Sequence, residues 1–349
     1  MLKSLLIRLL SPKSTANLTA GAIAETLDLE LRGNPLLPVK SLMPIADAMP
    51  GSGTFYSTER NSEAGFKILP LDTLKNTRAS IILLQPENIE FAPQGATLLI
   101  TDSPRRDVIK IMELMFPARK RTGIDRTARV RGAVFRDKKS VFIGPNVVVE
   151  PGCIIGENVE IESCAYVGGL STIGRGSRIR PNASVMHTTC GSDCDIQNGA
   201  CVGKSGFGYS IVAGKNTPIP HLGRVVLGDR VDVGANSCID RGVMADTIIG
   251  DGTKLDNLVQ VGHNVKIGKE CFLAGQSGFA GGCELGDRVK IGGQSGIVNK
   301  ANIGDGAEVA SFTGVTKNFP AGSKAMGFPA VEGNDFLRMH IFLKNSIKN

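Results

Sequence analysis

The chain has 349 residues, enough for two ordinary domains, and 43 of them are glycine. Aromatic residues make up only 5% of the sequence and tryptophan is absent, which excludes a core built mainly from packed aromatic rings. The net charge is +7, the apolar content of 42% argues against disorder, and no run of about 18 apolar residues supplies a membrane span. The sequence therefore predicts a soluble, globular protein.

The N-terminal segment MLKSLLIRLLSPK places leucines on one side of a short predicted helix, interrupted by Lys3 and Arg8. A signal peptide needs a longer unbroken apolar core and a cleavage site with small residues, so we expect the protein to stay in the cytoplasm. This helix either packs within the protein or makes a peripheral contact with the inner-membrane surface, and the sequence leaves both alternatives open.

The N-terminal region, residues 1–116, contains no repeat and predicts a small α/β domain. The predicted elements are a helix capped by Ser14 or Thr15 and ending at Leu27, strands at 80–84 and 96–101, and a helix at 103–116.

The following segment, 117–139, holds nine basic residues against two acidic ones, which accounts for the whole excess of positive charge. Such a segment either attracts an acidic partner or is a solvated linker. It does not interleave several aromatic residues with its basic ones, so nucleic acid is not expected as a partner. The basic residues are Arg119, Lys120, Arg121, Arg126, Arg129, Arg131, Arg136, Lys138 and Lys139.

From residue 143 to residue 315, aliphatic residues recur at every sixth position, often followed by glycine. The phase shifts twice, and an excursion at about 206–224 interrupts the pattern. A period of six fits neither an amphipathic helix nor an alternating strand, but it fits short strands joined by sharp turns. Three such strands close one triangular coil, so we expect the segment 117–331 to form a parallel β-helix. After the second shift, the anchors are Ile249, Leu255, Val261, Ile267, Leu273, Phe279, Leu285, Ile291, Ile297, Ile303, Val309 and Val315.

Positions separated by three periods lie in one column when successive coils stack at sheet spacing, about 4.8 Å. Three stacked glycines remove side chains from a strip of the wall, which either forms a groove beside His263 or serves only the coil geometry. The columns of interest are His263 with Gly281, Asn264 with Lys300, and Gln260 with Gly278, Gly296 and Gly314.

The cysteines and histidines of the sequence do not form a metal-binding pattern. The eight cysteines contain no CxxC pair, and of the four histidines only His263 lies within the regular coils. We expect the cysteines to be small apolar residues in a reducing compartment, and no metal site.

Four stretches carry a resemblance: SGFGY at 205–209, IPHLGRVVLGDRVDVGANSCIDRG at 219–242, DTIIGDGTKLDNLVQVGHNVKIG at 246–268 and AGQSGFAGG at 274–282. Together they resemble the UDP-3-O-(3-hydroxyacyl)glucosamine N-acyltransferases of lipid A synthesis. The resemblance is looser in the N-terminal domain and covers nearly the whole chain up to its C-terminal segment. The related O-acyltransferases lack this N-terminal domain.

The resemblance implies a left-handed β-helix and a homotrimer with active sites in clefts between the copies. It also implies a UDP-acylglucosamine substrate and an acyl chain delivered by an acyl carrier protein, with no cofactor beyond the carrier's phosphopantetheine arm. In this family His263 would be the general base that deprotonates the glucosamine 2-amino group. The backbone N–H of Gly281 would stabilise the oxyanion.

Other residues of the same motif are candidates for substrate binding. Asp256, Asn257, Gln260 and Asn264 either orient the base and hold the sugar, or form hydrogen bonds at coil corners. Gly278, Gly296 and Gly314 would line the acyl groove.

The sequence departs from the family pattern at two places. Some members carry a second histidine where this chain has Lys300, which could bind a phosphate of the donor arm or stabilise charge. The family's uridine pocket has the pattern Phe-x-x-Asn-x-x-Tyr, whereas this chain has Phe55, Thr58 and Asn61. Phe55 keeps the stacking ring, but the changed partners allow an altered substrate preference.

The sequence therefore favours an acyl-carrier-protein-dependent N-acyltransferase. The alternatives are a coenzyme A-dependent sugar N-acetyltransferase of the same fold and a catalytically silent trimeric binding or scaffold protein. The predicted organisation is an N-terminal nucleotide-sugar-binding domain at 1–116, the β-helix at 117–331 and a C-terminal helix at 332–349.

Overall fold

The computed structural model describes residues 18–59, 68–117, 120–327 and 333–346. The chain forms two compact units, Met1–Lys120 and Arg121–Asn349. The predicted N-terminal amphipathic helix and the predicted cap at Ser14 or Thr15 lie outside the described residues.

The N-terminal unit contains a five-stranded sheet in which only the edge strand Glu30–Arg32 is antiparallel. All four residues of Ile81–Leu84 and of Thr97–Ile100 are buried, as is typical of central strands covered on both faces. These two strands confirm the predictions for 80–84 and 96–101. The spatial order of the strands is Glu30–Arg32, Thr97–Ile100, Ile81–Leu84, Ser52–Phe55, Ser41–Leu42.

Helices pack on both faces of this sheet. One apolar cluster joins Ile23 and Met115 to the sheet, and a second lies on the opposite face around Leu74. Thr19 caps the first helix, because its Oγ1 accepts a hydrogen bond from Ala22 N at 3.2 Å. The helices in the described part of this unit are Ala20–Leu27, Leu71–Lys75, the 3-10 helix Pro86–Phe91, and Pro104–Met115.

The second unit is a parallel β-helix with a triangular cross-section, as the period of six predicts. Its walls are three parallel sheets, and the chain passes from the first to the second to the third in each coil. The first sheet contains Val134–Phe135, Ile154–Ile155, Thr172–Ile173, Thr188–Cys190, Val225–Leu227, Thr247–Ile249, Lys266–Ile267, Glu284–Leu285 and Asn302–Ile303. The second contains Gly123–Ile124, Phe142–Ile143, Glu160–Ile161, Arg178–Ile179, Asp195–Ile196, Asp232–Val233, Lys254–Leu255, Phe272–Leu273, Lys290–Ile291, Glu308–Val309 and Lys324–Ala325. The third contains Val148–Val149, Tyr166–Gly168, Ser184–Met186, Cys201–Ser205, Cys238–Arg241, Gln260–Val261, Gly278–Phe279, Gly296–Ile297 and Gly314–Val315.

The aliphatic anchors of the repeat point inward and form one continuous core. Ile161, Ile179 and Val261 are completely buried. In most coils the anchor is the second residue of a short strand, so the residue before it faces outward. The corner after the anchor turns the chain by about one third of a circle. The outward residues of the third sheet therefore form a strip of the protein surface.

Three consecutive coils depart from the regular length. On the third sheet Ser184 pairs with Cys201, across a coil slightly shorter than the regular one. Cys201 pairs with Cys238 and Cys238 with Gln260, across two coils that are longer. These are the phase shifts seen in the sequence. Most of the longest insertion is the excursion at 206–224, which contains an antiparallel hairpin of Tyr209–Val212 with Lys215–Pro218.

The last element among the described residues is the helix Gly333–Ser346. Within the described residues, no helix is both long enough and apolar enough to cross a membrane.

Candidate functional site

His263 lies at a corner of the β-helix, between Gln260–Val261 of the third sheet and Lys266–Ile267 of the first. Its side chain is half-buried. Its neighbours at this corner and on the next coil are small or polar rather than apolar: Gly262, Asn264, Gly281 and Gly282.

Asn264 determines which nitrogen of the imidazole carries the proton. Its Oδ1 accepts a hydrogen bond from Val243 N at 3.0 Å, and its Nδ2 donates one to Ala245 O at 2.8 Å. These two backbone partners fix the orientation of the amide, so the oxygen faces Nδ1 of His263 at 3.0 Å. Because an amide oxygen only accepts, Nδ1 must donate, and Nε2 keeps its lone pair.

Gly281 lies one coil further along the helix and faces the free nitrogen of His263. A Cβ at position 281 would stand 2.7 Å from Nε2, which is too close for any side chain. The backbone is tied to the same corner, because Gly282 N donates to His263 O at 2.9 Å. Only glycine therefore leaves Nε2 accessible.

The N–H group of Gly281 has no acceptor among the described residues. At equivalent corners, Lys269 N and Asp287 N donate to the aspartates of the next coil at 2.8 and 2.9 Å. The corresponding residue above Gly281 is Asn299, and it accepts no such bond in the described part of the chain. The corner thus presents a proton acceptor and an available backbone donor side by side, as base-assisted acyl transfer requires.

The strip beside this corner consists of Gln260, Gly278, Gly296 and Gly314, which are paired in that order on successive strands. A Cβ at any of the three glycines would have no atom within 4 Å, and none of them has a positive φ. Neither crowding nor backbone conformation therefore demands glycine here. The strip is a smooth, open track that ends at Gln260, near His263 in the same coil.

An ion pair with a buried carboxylate supports the end of this track. Asp240, only 3% exposed, pairs with Lys204 and accepts a hydrogen bond from Gln260 Nε2 at 3.2 Å. Burial opposes the charged form of Lys204, but the hydrogen bond to Asp240 raises the pKa of the amine above its usual value. Gln260 is therefore held by its neighbours as well as exposed to solvent.

Asp256 and Asn257 lie at a different corner from His263, between the second and third sheets. Asp256 accepts hydrogen bonds from Asn257 N at 2.7 Å and Gly275 N at 3.0 Å, and Asn257 Oδ1 accepts one from Ala235 N at 2.7 Å. These are the coil-corner bonds that the sequence left open as an alternative. Both residues line a surface pocket of about 340 Å³. Within one chain, the third sheet separates them from His263.

Lys300 lies two coils beyond Asn264, at the same corner as His263. Its stem passes over Gly282, where a Cβ would be 3.7 Å from Lys300 Cγ, and its side chain is exposed. The sequence prediction that Lys300 borders the His263 corner therefore agrees with its place in the fold.

In the N-terminal unit, Phe55 ends a strand of the sheet and is half-buried. Thr58 follows it, and both its N and its Oγ1 donate to Gln85 Oε1, at 3.0 and 3.3 Å. Thr58 thus makes hydrogen bonds within its own unit. Asn61, the third residue of the expected uridine pattern, lies outside the described residues.

The sequence missed one side chain at the His263 corner. His221, in the excursion, packs its ring against that of His263, with 5.5 Å between the ring centroids and 80° between the planes. Column counting could not place it, since the excursion has no repeat. The only sequence signal was its position inside the IPHLG stretch of the resemblance.

The basic segment is only partly free. Arg121 bonds to Glu160 and Glu162, at 2.6 and 2.5 Å, and stacks 4.5 Å from the centre of the Phe142 ring. Its charge is therefore used within the β-helix. Arg119 lies outside the described residues, while Lys120, Lys138 and Lys139 are exposed.

No group of three or more metal-ligating side chains occurs in the part of the chain that the structure describes. All eight cysteines are free thiols, and most are buried in the coils. Burial raises the pKa of the Cys283 thiol to about 12, so it is an unreactive core residue.

Comparison with known proteins agrees with this geometry. The family model described as bacterial transferase hexapeptide (six repeats) matches residues 138–169 and 246–281, and the second range contains His263 and Gly281. A UDP-3-O-acylglucosamine N-acyltransferase 2 of Legionella pneumophila is 36% identical, over 79% of this chain and 80% of its own length. A UDP-3-O-acylglucosamine N-acyltransferase of Methylobacterium nodulans is also 36% identical, over 94% of this chain and 91% of its own. The chain belongs to this family.

The UDP-3-O-acylglucosamine N-acyltransferase family thus covers both structural units of the chain, as the sequence resemblance indicated. Among solved structures, the Arabidopsis UDP-N-acetylglucosamine acyltransferase matches with a TM-score of 0.54 and 21% identity, over 65% of this chain and 80% of that one. At this identity the match supports the β-helical fold alone.

Proposed function

We propose that the protein transfers an acyl chain from the thioester of an acyl carrier protein to the 2-amino group of UDP-3-O-acylglucosamine. The observation that carries the proposal is that the lone pair of His263 Nε2 and the available N–H of Gly281 lie side by side at one corner. Membership of the N-acyltransferase family supports the substrate, because the relatives carry it in their names.

In the proposed reaction, the amine nitrogen attacks the thioester carbon while His263 Nε2 takes a proton from it. The new C–N bond forms, and the N–H of Gly281 stabilises the negative charge on the carbonyl oxygen. The C–S bond then breaks, and the imidazolium returns the proton to the departing thiolate. A positioned general base is worth about 10²–10⁴ in rate, and one oxyanion donor about 10²–10³.

The open glycine track is the proposed site of the acyl chain. Gly314 lies three coils from Gln260, about 14 Å at the usual sheet spacing, which matches a fatty chain of roughly a dozen carbons. No cofactor is needed, since the carrier protein brings the chain on its phosphopantetheine arm. Exposed lysines of the basic segment, Lys138 and Lys139, are candidates to attract that acidic carrier.

The proposed active unit is a homotrimer. Asp256 and Asn257 are across the third sheet from His263 in one chain, so they reach the same substrate only if a neighbouring copy contributes them. Light scattering on the purified protein tests this. We expect three times the chain mass of 36.8 kDa, and a monomer would overturn the shared site.

Mass spectrometry of the reaction tests the activity directly. The protein is incubated with UDP-3-O-acylglucosamine and a panel of acyl carrier proteins that differ in chain length and 3-hydroxylation. We expect a diacylated UDP-glucosamine. Acylation only from acetyl coenzyme A would favour a sugar N-acetyltransferase, and no product from any donor would favour a silent scaffold. We place the reaction in the cytoplasm, where the eight thiols stay reduced.

A further inference from the structure

His221 is buried beside His263 with one ring nitrogen unused. The residue is 6% exposed, and its Nδ1 lies 2.9 Å from Ile219 O. A carbonyl oxygen only accepts, so Nδ1 carries the hydrogen and Nε2 is a lone-pair acceptor in the neutral ring. This Nε2 is buried and has no hydrogen-bond partner among the described residues.

The two histidines are built alike. In each, Nδ1 donates to an oxygen of the protein and the Nε2–Cε1 edge faces a glycine. For His263 the glycine is Gly281, and for His221 it is Gly208, where a Cβ would stand 2.7 Å from Cε1 and 3.3 Å from Nε2. Each ring therefore lies against glycine backbone, in the place that a side chain at the glycine would take, and the two rings lie only 5.5 Å apart.

A buried acceptor with no donor costs free energy in the folded protein. That cost disappears when a ligand brings an O–H or N–H group to Nε2. In the neutral ring the lone pair repels an anionic group, so a phosphate oxygen does not satisfy Nε2 in that form. The substrates of the proposed reaction carry suitable donors in the hydroxyls of the glucosamine ring and the 3-hydroxyl of the acyl chain.

We infer that His221 is a substrate-binding residue whose Nε2 accepts a hydrogen bond from a substrate hydroxyl held next to the amine that His263 deprotonates. The inference rests on the proposed function for the identity of the substrate. It assigns proton transfer to His263 and substrate recognition to His221, whose ring a side chain at position 208 would displace.

Two substitutions separate recognition from packing. His221→Asn keeps a donor near the Nδ1 position and removes the Nε2 acceptor, whereas His221→Gln returns an amide oxygen near the Nε2 position. His187→Asn is the matched control, since His187 lies outside the site and has φ of 47°, which asparagine tolerates. Melting temperatures of all three variants show whether they fold.

We expect His221→Asn to raise the KM for one substrate about fivefold to tenfold, with kcat within about twofold of wild type. His221→Gln should recover most of this loss, and His187→Asn should behave as wild type. A His221→Asn variant indistinguishable from the control would overturn the inference and leave only a buried water at Nε2. An equal loss in the asparagine and glutamine variants would also overturn it, since packing would then explain both.

Substrate analogues identify the hydroxyl. If the 3-hydroxyl of the acyl chain is the donor, the loss in His221→Asn disappears with a donor that lacks it. If a sugar hydroxyl is the donor, the loss persists with that acyl donor and disappears with the matching deoxy sugar. A loss that persists with every analogue would overturn a hydroxyl contact.

Calorimetric binding of UDP-3-O-acylglucosamine and of the acyl carrier protein, measured without turnover, separates the two proposals. A wild-type chain that binds but forms no product overturns the proposed function. The role of His221 is then tested by binding alone, from the ratio of the Kd of His221→Asn to that of wild type. A chain that neither binds nor reacts overturns both.

Discussion

Two glycines that lie close together in the same coil of the β-helix have different surroundings. Gly292 is at a corner, where a Cβ would stand 2.3 Å from Ser311 N of the next coil. Gly296 is on the flat third sheet, where a Cβ would meet no atom within 4 Å. Neither has a positive φ, so backbone conformation does not distinguish them.

The difference teaches which glycines serve folding. The coils cannot stack at sheet spacing with a side chain at Gly292, whereas Gly296 could be replaced without a clash. Packing within one chain therefore does not explain the open glycines of the third sheet, whereas the proposed function explains them by an acyl chain that lies against them. Gly281 is a third case, because it is crowded by the imidazole of His263 rather than by backbone.

The largest effect is expected at His263. His263→Ala should lower kcat at least about 10²-fold, because the amine loses its general base. Gly281→Ala should also inactivate, since its Cβ displaces the imidazole, and the double variant should be no worse than the slower single one. Steady-state assays with an acyl carrier protein donor measure this, and near-normal turnover of His263→Ala would refute the assignment.

The next effect is on stability and compares the two glycines directly. Gly292→Ala should lower the free energy of unfolding by about 1–3 kcal/mol, as overpacking of a tight contact does. Gly296→Ala should leave it unchanged or raise it by up to about 1 kcal/mol, because alanine restricts the unfolded chain. Urea unfolding at one fixed protein concentration tests the pair. Equal losses would show that the open glycines are also needed for folding.

A smaller effect concerns chain length. Gly314→Met should shift preference toward shorter acyl donors, with each excluded methylene costing about 0.8 kcal/mol, or roughly fourfold in kcat/KM. The measurement is kcat/KM across donors of increasing length. A uniform loss for all donors would show that Gly314 does not line the acyl site and is instead needed for folding.

The smallest effect is expected in the basic segment, which also divides into residues that form ion pairs with the β-helix and residues that form none in the described part of the chain. Changing Lys120, Lys138 and Lys139 to glutamate should raise the KM for the carrier protein a few-fold at low salt and flatten its salt dependence. Arg121→Gln should instead lower stability, because Glu160 loses its ion-pair partner and Glu162 keeps only the longer contact with Arg180. An unchanged KM in the lysine variant would make the segment a simple linker.

The periodicity of the sequence was enough to predict the β-helix and the register of its regular coils. Counting by three periods placed Gly278 next to Gln260 and Gly281 above His263, and the structure confirms both placements. This works because every regular coil repeats the same backbone geometry, so position in the sequence determines position on the surface.

The same counting fails where a coil is irregular, and where one sequence motif extends over two corners of the β-helix. His221 belongs to an insertion without repeat, so only the folded chain brings it to His263. Asp256 shares one sequence motif with His263, yet a whole strand of the third sheet separates their corners. Arg121 looks like a free surface charge in the sequence, since its glutamate partners belong to a later coil.

The group that holds His263 on its Nδ1 side is the neutral amide of Asn264 rather than a carboxylate. A carboxylate would stabilise the imidazolium by its charge and would tend to retain the proton once it had been taken. The neutral amide holds the ring in place without stabilising the imidazolium in this way. In the proposed reaction the imidazolium must give up its proton within the same cycle, and an amide partner favours this. The imidazole therefore returns to its neutral form in every turnover without deprotonation by solvent.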